Sequence, residues 1–400
     1  MARWNTSCAT ACKAASGALL AALIFQSEAD AQSRGGGTAD RTPAASGTLL
    51  FQRGVRGVTI GPIESSLQPG RGYGSPAYQH TLALIERMGG NWISLTPFGR
   101  IWDLSPTGVD RSFEQPARQT ELAIRRSVEQ AHAHGLKVLL VPHLWAETGV
   151  WRGHIDPPTE RGWQRWADGY QQFLLSWARV AAQSGVDLLA VGVELRTFVT
   201  ARHAPAFQSI IKKVRGVYSG PLTYAANWDD AQDTVIWGDL DVIGLNAFFP
   251  LAHKENDSPA DLLRESTRIA AEIARLAQAW HKPVLFTEIG YTTRPSPALR
   301  PWEWPDGMKN VTVDQKAQAE AYRALIAPFL DQPWFKGFFV WRWYADADDM
   351  SQEAEWGFSP FGKQAELVVR DAFAAHWAAD GDAPLGFSLS RNAARRIGAY

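Results

Sequence analysis

Cysteine is almost absent from this 400-residue chain, which contains only two such residues. Both, Cys8 and Cys12, lie in a segment that we expect to be removed after export, so the mature chain is predicted to have no disulfide and no thiolate nucleophile. The chain also has no excess of charge of one sign, since 40 Lys and Arg residues oppose 41 Asp and Glu residues. Without a strong positive field, nucleic acid is not an expected partner.

The sequence also has no apolar run long enough to cross a membrane. The apolar stretch near the amino terminus, residues 14–25, is shorter than the roughly 20 residues that a membrane-spanning helix needs. Arg3 and Lys13 precede it and Ala29-Asp30-Ala31 follows it, a pattern typical of a signal peptide with a small-residue cleavage site. We therefore predict that residues 1–31 are removed, that the protein is periplasmic or secreted, and that it retains no integral membrane segment.

Motifs for metal ions and nucleotides are missing as well. The sequence has no His-Glu-x-x-His pair. Residues 357–363 resemble a phosphate-binding loop, but Gln364 stands where a Ser or Thr would hold magnesium. The sequence therefore predicts no metal site and no organic cofactor.

Short apolar runs alternate with longer segments of helical period along most of the chain. The runs predict eight strands: 55–60, 91–96, 137–142, 187–194, 221–226, 241–246, 283–288 and 336–343. One intervening segment spaces its aromatic residues at helical intervals, which predicts a core-facing stripe: Trp163, Trp166, Tyr170, Phe173, Trp177 and Ala181. Ser258-Pro259 and the capping box of Thr312 and Gln315 predict the starts of two further helices.

Eight strands that are each followed by a helix favour the α/β class and a (β/α)8 TIM barrel. We assign residues 51–378 to this single domain. Residues 32–50, which are rich in small and polar types, are predicted to form a flexible tether. Residues 379–400 are treated as a C-terminal tail without an assigned role.

Two predicted strands of this barrel end in a carboxylate. Apolar runs close on Glu194 at the end of the fourth strand and on Glu288 at the end of the seventh. The carboxyl ends of barrel strands meet at one mouth, where the chemistry of such barrels is built. Two facing carboxyl groups can act as the nucleophile and the acid/base of a retaining glycosidase. The alternative is that both are structural, paired to Arg196, Arg294 or backbone donors.

Several strings in this order resemble glycoside hydrolase family 113, the β-mannanases, within the clan of retaining (β/α)8 glycosidases. They are Pro142-His143-Leu144-Trp145, Trp151-Arg152-Gly153-His154-Ile155, Val191-Gly192-Val193-Glu194-Leu195, Ile243-Gly244-Leu245-Asn246-Ala247-Phe248-Phe249-Pro250-Leu251 and Phe286-Thr287-Glu288-Ile289-Gly290-Tyr291. The resemblance covers about residues 55–375. It implies that Glu194 is the acid/base and Glu288 the nucleophile.

The sequence departs from that clan at two places. Val193 stands where relatives usually carry an Asn that contacts the sugar 2-hydroxyl, and Asn227 or Asn246 could supply this contact instead. The Phe248-Phe249 pair stands where relatives tend to carry a Tyr that hydrogen-bonds the nucleophile, and Tyr291 could replace it.

Further candidates for sugar binding fall at or just beyond strand ends. Sugars present apolar C–H faces between hydroxyl groups, so indole rings with a few directed polar groups bind them well. The aromatic candidates are Trp145, Trp151, Trp228, Trp341 and Trp343. His143 and Arg152 could hydrogen-bond ring hydroxyls, and Trp341 and Trp343 are predicted to share one strand face.

The signal peptide and the strand-end glutamates predict a secreted retaining β-glycoside hydrolase that acts by double displacement, and the resemblance implies that its substrate is β-1,4-mannan or manno-oligosaccharides. Two alternatives stay open. One is a glycosidase or transglycosylase of the same clan that acts on another β-glycan, and the other is a barrel that binds glycan without cleaving it. The sequence does not indicate an oligomeric state.

Overall fold

The computed structural model describes residues 50–61, 70–112, 115–304, 309–349, 351 and 353–375. All of these residues belong to one unit, Thr42–Tyr400. The predicted signal peptide (1–31), the predicted tail (379–400) and, except for Leu50, the predicted tether (32–50) lie outside the described residues. Within the described ranges, no helix combines the length and apolar character that crossing a bilayer requires.

Ten strands are described. They are β1 (Val55–Gly61), β2 (Trp92–Leu95), β3 (Phe98–Ile101), β4 (Lys137–Leu140), β5 (His143–Ala146), β6 (Leu188–Val193), β7 (Leu222–Asn227), β8 (Ile243–Asn246), β9 (Val284–Ile289) and β10 (Phe335–Tyr344). Eight of them close into a parallel barrel in the order β1-β10-β9-β8-β7-β6-β4-β2, while β3 and β5 form a separate two-stranded sheet. The eight barrel strands are those that the sequence predicts, with every end within two residues. The (β/α)8 fold is therefore confirmed.

The described helices cover the outside of the barrel between strands. They are α1 (Pro76–Arg87), α2 (Ala117–Ala133), α3 (Glu160–Ser184), α4 (Ala204–Arg215), α5 (Pro259–Trp280), α6 (Gln315–Ile326) and α7 (Gln364–Ala374). The expectation of a helix after every strand is wrong between β7 and β8, where the only helical element is the 3-10 helix Trp237–Asp239. The Trp237 side chain in this 3-10 helix is fully buried, and its indole Nε1 donates to the Ala231 carbonyl oxygen at 3.0 Å.

The two predicted helix starts have different outcomes. Ser258 caps α5 in a capping box with Asp261, as the sequence predicts. The predicted box of Thr312 and Gln315 is wrong, because α6 begins at Gln315 and Asp314 is its cap. The Asp314 carboxylate accepts from the backbone N–H of Ala317 at 2.9 Å, and a carboxylate is a favoured acceptor at the positive end of a helix.

Apolar residues alternate between two layers along each barrel strand. On β6, Leu188 and Ala190 belong to the cluster inside the barrel, and Leu189 and Val191 belong to the layer between strands and helices. The predicted stripe on α3 packs in that outer layer and is buried throughout. A side chain at Gly57 would approach the Phe339 ring to 2.3 Å, so glycine is what lets this ring fill the barrel interior.

Candidate active site

Glu194 follows β6 directly at the mouth of the barrel. Its φ of 49° lies in the left-handed region, which costs a non-glycine residue on the order of 1 kcal/mol. Two backbone N–H groups hold this conformation: the Glu194 N–H donates to the Ala225 carbonyl oxygen at 2.8 Å, and the Leu195 N–H donates to the side-chain hydroxyl of Tyr224 at 2.7 Å. The left-handed turn is therefore fixed by the neighbouring strand β7.

The Glu194 carboxylate is buried and accepts three hydrogen bonds. Trp151 Nε1 donates to Oε2 at 2.9 Å, and Arg152 Nη2 donates to the same oxygen at 2.7 Å. Asn246 Nδ2 donates to the other oxygen, Oε1, at 2.9 Å. Arg152 is itself oriented by a bond from Nε to the Val193 carbonyl oxygen at 3.3 Å. The loop after β5 thus brings two donors onto a single carboxylate oxygen.

Glu288 lies within β9, beside Asn246 of β8 in the strand register, and its side chain is also buried. Its Oε1 atom is 3.4 Å from His143 Nε2. Burial raises the pKa of Glu288 well above its usual range, and the nearby Glu194 raises it further. The cations of Arg152 and Arg342 oppose this rise, as does a hydrogen bond from Asn246.

Asn246 connects the two carboxyl groups. The Thr287 hydroxyl donates to Asn246 Oδ1 at 2.9 Å, which turns the amide nitrogen toward the carboxylates. That nitrogen bonds Glu194 and also interacts with Glu288. Two carboxyl groups that come from distant parts of the chain are therefore within reach of one amide group.

His143 completes the polar part of the site as a neutral imidazole. Burial lowers its pKa well below the usual range, and the charges of Arg152 and Arg342 lower it further. Its ring lies 5.0 Å from the Phe98 ring and 6.1 Å from the Trp341 ring, measured between centroids. A neutral imidazole between aromatic rings can exchange hydrogen bonds with Glu288 or a ligand hydroxyl without adding charge.

An aromatic cluster lies on the other side of Trp341. Phe248, Phe358 and Trp341 pack together, with Trp228 partly buried against them. Trp228 in turn stacks on Trp302 with 5.5 Å between centroids and 19° between planes. These rings give one wall of the site an apolar surface.

The structure does not bring three of the predicted residues to the carboxylates. Tyr291 is buried in the core, edge-on to Tyr322, with its hydroxyl 3.5 Å from the Phe249 carbonyl oxygen. Trp343 packs in the core against Phe361. Asn227 ends β7 at the same rim, but its amide donates to Asp229 at 2.6 Å.

The placement of Trp343 has a clear physical cause. Val58 of β1 pairs with Val340 and Ile60 pairs with Trp343, so β10 carries one residue more than β1 over this stretch. Such a bulge breaks the period-two alternation on which the shared face was predicted. Trp341 therefore joins the site cluster while Trp343 joins the core.

Arg342, between these two tryptophans, is a site residue that sequence reasoning missed. Its guanidinium lies 5.2 Å from the Trp341 ring, 5.0 Å from the Trp304 ring and 5.1 Å from the Tyr344 ring. Its charge lowers the pKa of both Glu288 and His143. The sequence does carry a signal for this residue, because a basic side chain inside an otherwise apolar strand end is costly to bury unless it has a partner.

The arginines proposed as structural partners of the two glutamates bind elsewhere. Arg294 pairs with Glu303 at 2.8 Å. Arg196 pairs with Asp229 and, at 3.4 Å, with Asp230. The Arg196 guanidinium also lies 4.6 Å from the Trp151 ring, on the indole that donates to Glu194. Within the described ranges, no group of three or more His, Cys, Asp or Glu side chains is arranged to hold a metal ion.

Comparison with known proteins gives a consistent set of likenesses. The sequence model of Glycoside Hydrolase Family 113 matches residues 67–363. The structure is similar to that of the GH113 β-mannanase from Alicyclobacillus acidocaldarius in complex with ManMIm, with 26% identity, 80% of this chain and 97% of that chain covered, and a TM-score of 0.68. None of the curated protein sequences compared with the chain matches it.

Two further structures share the fold at lower identity. One is a GH113 β-1,4-mannanase, with 22% identity, a TM-score of 0.69, and 80% of this chain and 99% of that chain covered. The other is the Glycoside Hydrolase Family 5 mannosidase from Rhizomucor miehei, with 10% identity, a TM-score of 0.55, and 80% of this chain and 92% of that chain covered. Each of these likenesses extends over most of the barrel.

Proposed function

The chain belongs to glycoside hydrolase family 113 and is a glycoside hydrolase, and from this we propose that it cleaves β-1,4-mannan or manno-oligosaccharides with retention of configuration. The observation that carries the reaction type is the pair Glu194 and Glu288 at the barrel mouth, where Asn246 donates to Glu194 and lies beside Glu288 in the strand register. The substrate class is supported by the β-mannanase of 26% identity, which the comparison covers almost completely.

In the proposed reaction, Glu288 attacks the anomeric carbon while Glu194 protonates the leaving oxygen. This forms a glycosyl ester on Glu288 and releases the first sugar. Glu194, now ionised, takes a proton from water as that water attacks the same carbon and frees the carboxylate of Glu288. No proton or electron is needed from outside the pair and its water.

The pair starts this cycle with one proton in total. Burial and the nearby Glu194 raise the pKa of Glu288, and the Glu194 carboxylate accepts three hydrogen bonds, one of them from the Arg152 guanidinium. Cleavage requires the proton on Glu194 and the charge on Glu288. Because the two sites are coupled, the proton belongs to the pair. Arg342 helps to shift it because its charge favours ionised Glu288.

The neutral donors of the site suit an uncharged sugar. His143 and Asn246 can hydrogen-bond hydroxyls beside the reacting carbon, and Trp341 offers a ring against which the C–H face of a sugar can pack. His143 in particular adds no charge, since its pKa is lowered well below the usual range.

The experiment compares Glu288→Ala, Glu194→Ala and the control Glu147→Ala, whose exposed carboxyl follows β5 on the same rim. Both site variants are expected to lose activity on β-1,4-manno-oligosaccharides by at least about 10²-fold, and the control to keep it. Azide added to Glu288→Ala should restore turnover and give a glycosyl azide of inverted configuration. Full activity of Glu288→Ala without azide would contradict the proposed mechanism.

A panel of β-glycans tests the substrate against the alternatives. Release of reducing ends from mannan, with none from β-glucan or β-galactan, is the expected result. If another glycan is cleaved in preference to mannan, that glycan becomes the proposed substrate. Tight binding by calorimetry without any product would favour a barrel that only binds glycan, a possibility to which Val193 and the Phe248-Phe249 pair point.

We also propose that the chain is exported and that residues 51–378 form its catalytic domain. The support is the apolar stretch 14–25 with its basic flank and the site Ala29-Asp30-Ala31. Amino-terminal sequencing of protein from the periplasm or medium should begin at Gln32. An intact Met1 on protein retained in the cytoplasm would contradict export.

A further inference from the structure

The small sheet of β3 and β5 extends the rim of the barrel beyond the site. Two residues separate the end of barrel strand β2 from the start of β3, two residues separate the end of β4 from the start of β5, and β3 and β5 pair in parallel. Phe98 lies opposite His143, and Arg100 lies opposite Trp145. We call this element the rim sheet.

The two faces of the rim sheet differ sharply in exposure. Gly99, Ile101, Leu144 and Ala146 are all buried on one face. The other face carries Phe98, Arg100, His143 and Trp145, because side chains alternate along a strand. Trp145 is the most exposed of these, at 49% of its surface, whereas His143 is 3% exposed.

His143 shows which way the exposed face points. Its Nε2 atom is 3.4 Å from Glu288 Oε1, so the face that carries it looks toward the carboxylate pair. Trp145 is two residues further along the same strand and therefore about 7 Å further from the barrel on the same face. Glu288, His143 and the exposed indole of Trp145 therefore follow one another outward from the barrel.

One member of an ion pair lies on the strand next to Trp145. The Arg100 guanidinium, on the neighbouring strand, pairs with Asp110 at 2.6 Å and lies 4.5 Å from the ring of Trp102. Trp102 directly follows β3 and is 60% exposed. Because Asp110 balances the charge of Arg100, this group offers donors and acceptors for hydroxyls without selecting an anion.

We propose that Trp145, with Arg100 beside it, forms a binding subsite for a neutral hexose unit of the chain being cleaved, outside the two units that flank the cleaved bond. The inference rests on the proposed function. The indole stacks on the C–H face of the sugar, and the Arg100 and Asp110 pair bonds its hydroxyls. Single exposed apolar residues are ordinary on protein surfaces. Trp145 differs from such residues because it lies on the same face of the rim sheet as His143, which contacts Glu288. The opposite face of the rim sheet is wholly buried.

The test compares Trp145→Ala and Trp145→Phe with Leu367→Ala, a control on α7 that is also 49% exposed. Binding and kcat/KM are measured on manno-oligosaccharides from the disaccharide to the hexasaccharide. Trp145→Ala should lose roughly 3- to 10-fold in affinity and kcat/KM on the longest substrates, with a smaller loss on the shortest. Trp145→Phe, which keeps an aromatic face, should recover most of that loss, and Leu367→Ala should match the wild type throughout.

The contradictory results are distinct from failure of the proposed function. If kcat/KM of Trp145→Ala depends on chain length as it does in the wild type, or falls equally on every substrate, the subsite proposal is wrong. Either result would leave mannan cleavage in place. A wild-type protein that neither binds nor cleaves any member of the series would overturn both.

Discussion

The carboxyl of Asp230 is buried beside Arg196, whose guanidinium lies against the Trp151 ring, and replacing Asp230 by asparagine should change how stability depends on pH. Its Oδ2 atom is 3.4 Å from Arg196 Nε, and its Oδ1 atom has no hydrogen-bond partner within the described ranges. Burial raises the pKa of Asp230 from 3.8 to about 7, although Arg196 opposes the rise. The native protein therefore keeps this proton to a much higher pH than the unfolded chain does.

The sign and size of the effect follow from linkage. Between pH 3.8 and about 7 the native state binds the proton and the unfolded state does not, so stability falls as the pH rises through this window. The free energy of unfolding of the wild type falls by about 1.4 kcal/mol per pH unit over about three units, which is roughly 4 kcal/mol in total. A variant with asparagine at this position does not have this loss. Asp230→Asn should thus gain about 4 kcal/mol relative to the wild type between pH 4 and pH 7.

Urea unfolding at a series of pH values measures this difference directly. The control is Asp229→Asn, which removes the more exposed carboxylate bound to the same arginine and should change stability by less than about 1 kcal/mol. If the curves of the wild type and Asp230→Asn run parallel from pH 4 to pH 8, the buried carboxyl is not protonated and the reasoning fails.

Three further substitutions test the bond to Glu194, the charge beside Glu288 and the cap of α5. Trp151→Phe removes the N–H that donates to Glu194 and should lower kcat/KM about 10- to 100-fold, and an unchanged value would show that this bond is dispensable. Arg342→Met removes a cation that lowers the pKa of Glu288, so the pH profile of kcat/KM should move to higher pH, whereas a profile that stays or moves down would contradict that role. Ser258→Ala removes the cap of α5 and should cost about 1 kcal/mol in urea unfolding with kcat/KM unchanged, and loss of activity would count against its purely structural role.

The barrel and its two carboxylates could be predicted because their signals are local. A short apolar run of about six residues, rich in β-branched types and alternating with longer segments of helical period, indicates a buried strand, and Glu194 and Glu288 each interrupt such a run at its end. In a closed parallel barrel the carboxyl ends of all strands lie at one mouth, so residues far apart in sequence meet there. His143, Trp151, Arg152 and Asn246 were predicted near the same mouth because they lie at or beyond strand ends, and the structure places them beside Glu194 or Glu288.

The features that were missed depend on contacts between distant segments. Residues 143–146 read as a loop, because Pro142 and the mixture of polar and apolar types hide a strand that forms only by pairing with Phe98–Ile101. The extra residue in β10 cannot be seen without its partner β1, and it moves Trp343 out of the site. The Arg196 contacts likewise depend on the loops after β5, β6 and β7 meeting.

The central claim is that Glu288 forms a covalent bond with the sugar while Glu194 moves the proton. A 2-deoxy-2-fluoro-β-mannosyl fluoride slows breakdown of such an intermediate, so that peptide mass spectrometry can locate the sugar. We expect a single labelled peptide that contains Glu288, and no label on the Glu288→Gln variant. A label on the Glu194 peptide, or rapid turnover of the reagent with no labelled peptide and with inverted product, would contradict it.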